Sequence, residues 1–104
     1  MLDKLKNLLG LGEAVDISQL AKDGAIILDV RSKGEYSSGH IKGSINIPLD
    51  QLAGNLHKLK DKEKPIITCC ASGMRSGSAT GLLKSNGYTT VHNGGGWSSL
   101  QHKI

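Results

Sequence analysis

A chain of 104 residues, 38% of them hydrophobic, is long enough to bury one core and too short for two domains. It has no Phe, one Trp and two Tyr, so Ile, Leu, Val and Ala must fill that core, and fourteen glycines call for many tight turns rather than a long helical bundle. No apolar run approaches the roughly 20 residues of a membrane-spanning helix, and the net charge of +4 favours small anions without by itself arguing for nucleic acid.

In chain order, residues 1–9 place Leu2, Leu5, Leu8 and Leu9 on one helical face, and Gly10 and Gly12 end the pattern. Residues 1–12 are therefore expected as a short amphipathic helix ahead of a domain over residues 13–104. Lys and Asp interrupt its leucines, so it lacks a signal-peptide layout. Glu13-Ala14-Val15 reads as a brief edge strand. Asp16 is placed to cap the next helix, with Gln19 resembling the second member of a capping box, and Asp23-Gly24 closes it.

Ala25-Ile26-Ile27-Leu28-Asp29-Val30 is a continuous apolar run of the kind found in strands covered on both faces. Asp29 and Arg31 fall at its C-terminal end. Residues 32–38 read as a short helix stopped by Gly39. Ser44-Ile45-Asn46-Ile47 reads as a strand ended by Pro48, and residues 49–56 as another short helix. Residues 57–64, with alternating Lys58, Lys60, Lys62 and Lys64, read as a solvated connector rather than a nucleic-acid patch. Ile66-Ile67-Thr68 follows Pro65 and opens a strand. Ala79, Leu82 and Leu83 recur at helical spacing until Asn86-Gly87. Tyr88-Thr89-Thr90-Val91 is the last expected strand, and Gly94-Gly95-Gly96 is expected to turn into a final helix near Leu100.

Strands alternating with short helices define an α/β domain with a mainly parallel central sheet of about five strands and helices on both faces. Ligands of such sheets bind beyond the carboxyl ends of the strands, where Asp29, Arg31 and Cys70 all lie.

The chain is organised around the junction at Cys69-Cys70-Ala71-Ser72-Gly73-Met74-Arg75-Ser76. A buried strand ends there, a small-residue loop turns, and a helix begins. Backbone N–H groups of such a loop and helix start form an anion-binding concavity. A thiol at its centre is favoured as the nucleophilic thiolate. The competing reading makes both cysteines small, inert core residues. Adjacent Cα atoms about 3.8 Å apart fall short of the roughly 4.4–6.8 Å of disulfides. A reducing, cytoplasmic setting is therefore expected. His40, His57, His92 and His102 show no metal-ligand spacing, and two vicinal cysteines make a poor zinc site. Asp29 and Glu35 read as ion-pair partners of Arg31 or Arg75 rather than an acid–base pair, expected at the surface, where such a pair contributes about 0–1 kcal/mol and serves mainly to position the loop.

Asp29-Val30-Arg31, Glu35-Tyr36, Gly39-His40-Ile41, Gly43, Asn46-Ile47-Pro48, Cys70-x-x-Gly73-x-Arg75-Ser76 and Gly95-Gly96-Trp97 stand in an order and spacing that resemble the single-domain rhodaneses. The resemblance covers nearly the whole domain and implies a rhodanese-like three-layer fold. It implies a thiosulfate or persulfide sulfurtransferase in which Cys70 takes a sulfane sulfur and the amides of Ala71, Ser72, Gly73, Met74, Arg75 and Ser76 cradle the persulfide, with Asp29 and Arg31 in support. It implies no metal or organic cofactor, a small anionic sulfur donor, a thiol acceptor on a small molecule or a protein, and no nucleic-acid or membrane partner. Ala71 and Ser72 are small and neutral where thiosulfate-preferring members carry basic loop side chains. Phosphatases and arsenate reductases of the same fold have a loop one residue longer. Four residues separate Cys70 from Arg75 and five separate Cys69 from it, so the choice of nucleophile decides the chemistry. A sulfur carrier or protein-binding module is the third reading.

Overall fold

In a computed structural model, residues 16–104 are described. The elements are α1 (Ile17–Lys22), β1 (Ile26–Asp29), α2 (Lys33–Ser37), β2 (Ile45–Asn46), α3 (Leu49–Leu52), a 3-10 segment (Ala53–Lys58), β3 (Ile66–Cys70), α4 (Met74–Ser85), β4 (Val91–Gly96) and α5 (Trp97–Lys103). The sheet has the order β2-β1-β3-β4, and every pairing is parallel. Four strands are seen among the described residues where about five were expected. The expected edge strand at residues 13–15 and the helix at residues 1–12 lie outside the described residues.

The two faces of the sheet follow from strand pleat, which sends successive side chains to opposite sides. On β1, Leu28 joins a core with Val30, Leu52, Leu59, Ala79, Leu83 and Tyr88, while Ile27 joins a second with Ile41, Ile67 and Leu100. On β3, Ile66 and Cys70 face the first core, and Ile67 and Cys69 the second. Helices α3 and α4 supply one outer layer; α1 and α5 supply the other through Ile17, Leu20, Trp97 and Leu100. Both faces are covered, which is why β1 and β3 read as unbroken apolar runs.

The local start and stop signals hold with two adjustments. The Asp16 side chain accepts the Gln19 amide at 3.0 Å, but the Gln19 side chain reaches forward to Asp23 instead of back to the cap. The reciprocal capping box is at α2: the Ser32 hydroxyl accepts the Glu35 amide, and Glu35 accepts the Ser32 amide at 3.1 Å. The connector after the 3-10 segment is solvated at its lysines, yet Leu59 is buried within it as an anchor.

The last strand differs most from expectation. It runs from Val91 to Gly96, not from Tyr88 to Val91. Tyr88 is buried before the strand begins, and its hydroxyl donates to the Leu59 carbonyl at 2.7 Å. The glycines then continue the strand because β4 presses close to β3. A Cβ on Gly94 would sit 2.8 Å from Ile67 and from the Thr68 carbonyl. The register moves from Thr68–Asn93 to Cys70–Gly96, so β4 carries one extra residue opposite β3. That bulge lies beside the Cys70 loop, and bulges re-aim side chains in such places.

Candidate active site

β3 delivers the two cysteines to opposite faces. Cys69 is fully buried among Ile27, Ile41, Ile67 and Leu100. Burial pushes its thiol up to about 12, with the Asp29 carboxylate adding to the effect and Arg31 opposing it. Cys70 faces α4.

The chain between Cys70 and α4 turns at Gly73, whose φ of +101° lies in the left-handed region. A Cβ at that position would lie 3.4 Å from the Gly95 Cα. Gly73 occupies the N-cap of α4 and has no side chain to cap it, so the first amides need another acceptor. Cys70 Sγ is that acceptor. The Gly73 amide donates to it at 3.0 Å and the Ser76 amide at 3.4 Å. Ser76 Oγ lies 3.4 Å from the sulfur. Burial raises the pKa of the Cys70 thiol, but the Ser76 hydroxyl, once turned to the ionised sulfur, and the amides of Ser76, Gly73 and Ser72 outweigh it, and the net shift is downward. Thr68 fixes the helix start from below, its hydroxyl donating to the Ser76 carbonyl at 3.0 Å.

Of the loop residues singled out in the sequence, Gly73 and Ser76 carry the amides seen on the sulfur, and Ala71, Ser72 and Met74 form the exposed rim. Met74 is 82% exposed, an unusual position for a large apolar side chain. Arg75 makes its side-chain hydrogen bonds to Glu35. Its two terminal nitrogens donate to the two Glu35 oxygens at 2.7 and 2.9 Å, tying α4 to α2. That pairing holds Glu35 down at about 2, helped by Ser32. A cleft of about 520 Å³ opens beside Arg75, walled by Ser32, Lys33, Asp50 and Gln51.

Asp29 and Arg31 do not reach Cys70. Asp29 is fully buried, and Arg31 is 4% exposed. Arg31 Nε donates to both carboxylate oxygens at 2.9 and 3.0 Å, and Nη2 donates to Asp29 Oδ2 and to the Gly39 carbonyl at 2.7 Å each. The guanidinium also lies 4.6 Å from the Trp97 ring centroid. Asn46 closes the arrangement by donating to the Asp29 and Arg31 carbonyls. Their place is on the Cys69 side, where they lock the ends of β1 and β2 to the chain around Gly39 and Trp97.

The residue that sequence reasoning missed is Asn93. Its Nδ2 donates to the Gly73 carbonyl at 3.0 Å, and its Oδ1 accepts from Ser76 Oγ at 2.6 Å and from the Gly95 amide at 2.9 Å. The available signal was an Asn directly before three glycines at a strand end. Among the described residues, no group of His, Cys, Asp and Glu could hold a metal ion, and no helix is long and apolar enough to cross a membrane.

A parallel α/β domain with a thiol accepting the first amides of a helix at the carboxyl end of its sheet defines a class of cysteine-centred loop. Comparison with known proteins supplies the family. The family model described as a rhodanese-like domain matches residues 4–103, and the chain belongs to that family. It is 35% identical over 96 residues to the thiosulfate sulfurtransferase PspE of Escherichia coli (strain K12), covering 91% of this chain and 90% of that protein. It is 38% identical over 81 residues to the uncharacterized protein YqhL of Bacillus subtilis (strain 168), covering 77% of this chain and 64% of YqhL. Among solved structures, reduced Bacillus anthracis CoADR-RHD superposes with a TM-score of 0.72 at 38% identity, over 85% of this chain and 15% of that one. The same domain thus stands nearly alone in PspE and forms a small part of a larger chain in CoADR-RHD.

Proposed function

We propose that this protein is a sulfurtransferase that carries a sulfane sulfur on Cys70. The observation that carries the reading is the convergence of the Gly73 and Ser76 amides and the Ser76 hydroxyl on one sulfur, while the neighbouring thiol is sealed on the other face. The family membership and the likeness to PspE support sulfur transfer in general.

In the first half-reaction the Cys70 thiolate attacks the outer sulfur of a donor R–S–S⁻ or of thiosulfate. A new S–S bond forms, the donor's S–S bond breaks, and the leaving group departs as a thiolate or as sulfite. In the second, an acceptor thiolate attacks the outer sulfur of the Cys70 persulfide and leaves Cys70 as thiolate. Loop amides held in place before the reaction stabilise negative charge on sulfur in both steps. No metal or organic cofactor is needed, because the persulfide is itself the intermediate.

Charge at the loop distinguishes the two donors. Ala71 and Ser72 are neutral, and both terminal nitrogens of Arg75 are paired with Glu35, so the loop itself brings a doubly charged anion no unpaired cation, and Lys33 stands across the cleft rather than at the sulfur. A persulfide donor fits better than thiosulfate. The exposed Met74 beside the thiol suits an acceptor thiol carried on a protein surface. A reducing, cytoplasmic setting would keep both cysteines as the free thiols of this structure. The longer-loop alternative would need Cys69 as nucleophile, and a fully buried thiol pushed up to about 12 is unsuited to it.

Intact mass before and after incubation with a persulfide donor, and separately with thiosulfate, tests the reading. Wild type and Cys69→Ser should gain the mass of one sulfur atom and lose it to a thiol acceptor, and Cys70→Ser should gain nothing. Sulfur uptake by Cys70→Ser, or none by wild type from either donor, overturns it.

A further inference from the structure

Ser76 has one hydroxyl proton and two candidate acceptors for it. The Asn93 amide cannot be flipped, because its Oδ1 faces the Gly95 N–H at 2.9 Å and its Nδ2 faces the Gly73 carbonyl at 3.0 Å. Asn93 Oδ1 therefore has no proton to give, and the 2.6 Å contact is the Ser76 hydroxyl donating to Asn93. In that arrangement Ser76 Oγ meets Cys70, 3.4 Å away, with its lone pairs, and accepts the thiol's S–H.

That pattern serves the thiol and fails the thiolate. Once Cys70 loses its proton to water, its sulfur can only accept. Lone pairs on Ser76 Oγ would then face negative charge, unless the hydroxyl turns from Asn93 to the sulfur.

We infer that Asn93 is a positioning residue that sets the ionisation of Cys70 by competing for the single Ser76 hydroxyl proton. With the thiol protonated, Asn93 holds that proton and the loop through Gly73. With the thiolate or persulfide formed, the proton swings to sulfur and Asn93 keeps its Gly95 and Gly73 bonds. The role rests on Cys70 being the reacting thiol. Asn93 stands in register with Thr68, immediately before the β4 bulge that passes the loop.

The other groups around Cys70 are few. Arg75 of α4 is close enough for its charge to act on the thiol, but it is paired with Glu35. Cys69 precedes it on β3 and stays protonated, and the Asp29–Arg31 pair of β1 lies on the opposite face, where it acts on Cys69. β4 contributes the uncharged Asn93.

The sign of the effect separates this role from simple bracing. Loss of a brace loosens the amides and raises the pKa of Cys70. Loss of the competing acceptor frees the hydroxyl for sulfur and lowers it. The measurement is thiolate ultraviolet absorbance against pH, with Cys70→Ser subtracted as baseline. Asn93→Ala should lower the Cys70 pKa by about half a unit, the scale of one net hydrogen bond. Asn93→Asp, which keeps an acceptor and adds charge, should raise it. Ser76→Ala should raise it too, and adding Asn93→Ala to Ser76→Ala should change nothing further. If Asn93→Ala does not fold, the rise in Asn93→Asp must shrink in the Ser76→Ala background. A rise with Asn93→Ala, or equal shifts with and without Ser76, overturns the inference. A wild type with no thiolate transition below the ordinary thiol range overturns the Cys70 assignment instead.

Discussion

One step of strand pleat separates a reactive thiol from an inert one. Cys69 and Cys70 are neighbours on one strand, yet the first is pushed up by burial and the second is drawn down by donors at its sulfur. Cys70 therefore has the sign of a group whose charged form the fold favours. Its thiolate persists as pH falls below the ordinary thiol value of 9.0 and is lost only as pH passes through the lowered one. The rate of persulfide formation should follow that fraction. Measured beside a small free thiol with the same donor, the protein's pH–rate curve should be displaced to lower pH. Coincident curves would remove the cradle's electrostatic role.

At the level of elements, the site is a junction of α4 with its neighbours on two sides. On one side, Arg75 ties α4 to α2 through Glu35, whose carboxyl is held at about 2 against an ordinary 4.5. A depressed carboxyl contributes stability above its unfolded value and loses it as pH falls through the folded one. Wild type should thus lose stability between about pH 4.5 and 2 through this group, and Glu35→Gln, which still offers an oxygen to the Ser32 amide, should lack that component. Urea midpoints taken across that range decide it; parallel profiles would mean the pair is idle. On the other side, Gly96 lets β4 touch the loop. A Cβ there would stand 2.9 Å from the Ala71 carbonyl. Gly96→Ala should destabilise the fold by about 1–3 kcal/mol and also slow sulfur transfer, since the displaced atom belongs to the Cys70 loop. Lower stability with an unchanged rate would show that the loop absorbs the contact.

For the molecule as a whole, what could be read from the chain was what periodicity and turn chemistry encode. Ile26 to Leu28 and Ile66 to Thr68 announce buried parallel strands, and Cys70-x-x-Gly73 announces a loop before a helix. Asn93 and the reach of β4 were hidden, because a run of glycines looks like a turn until a neighbouring strand shows why side chains cannot fit. The burial of the Asp29–Arg31 pair was hidden for a related reason: spacing marks two opposite charges as partners but not the Gly39 carbonyl and Trp97 ring that enclose them. That enclosure makes a whole-molecule prediction. Removing one partner of a buried pair leaves an uncompensated charge and costs about 3–5 kcal/mol, so Arg31→Leu should lower the urea midpoint sharply. Asp29→Asn in the same chain removes that charge while leaving an oxygen for the Arg31 backbone amide, which Asp29 now accepts at 3.0 Å. The double variant should recover part of the loss, and additive losses would show that packing rather than charge dominates. Because the pair faces Cys69 and not Cys70, the surviving folded fraction of Arg31→Leu should transfer sulfur at close to the wild-type rate per folded molecule. A rate that falls further than the folded fraction would instead make the pair part of the site's electrostatics.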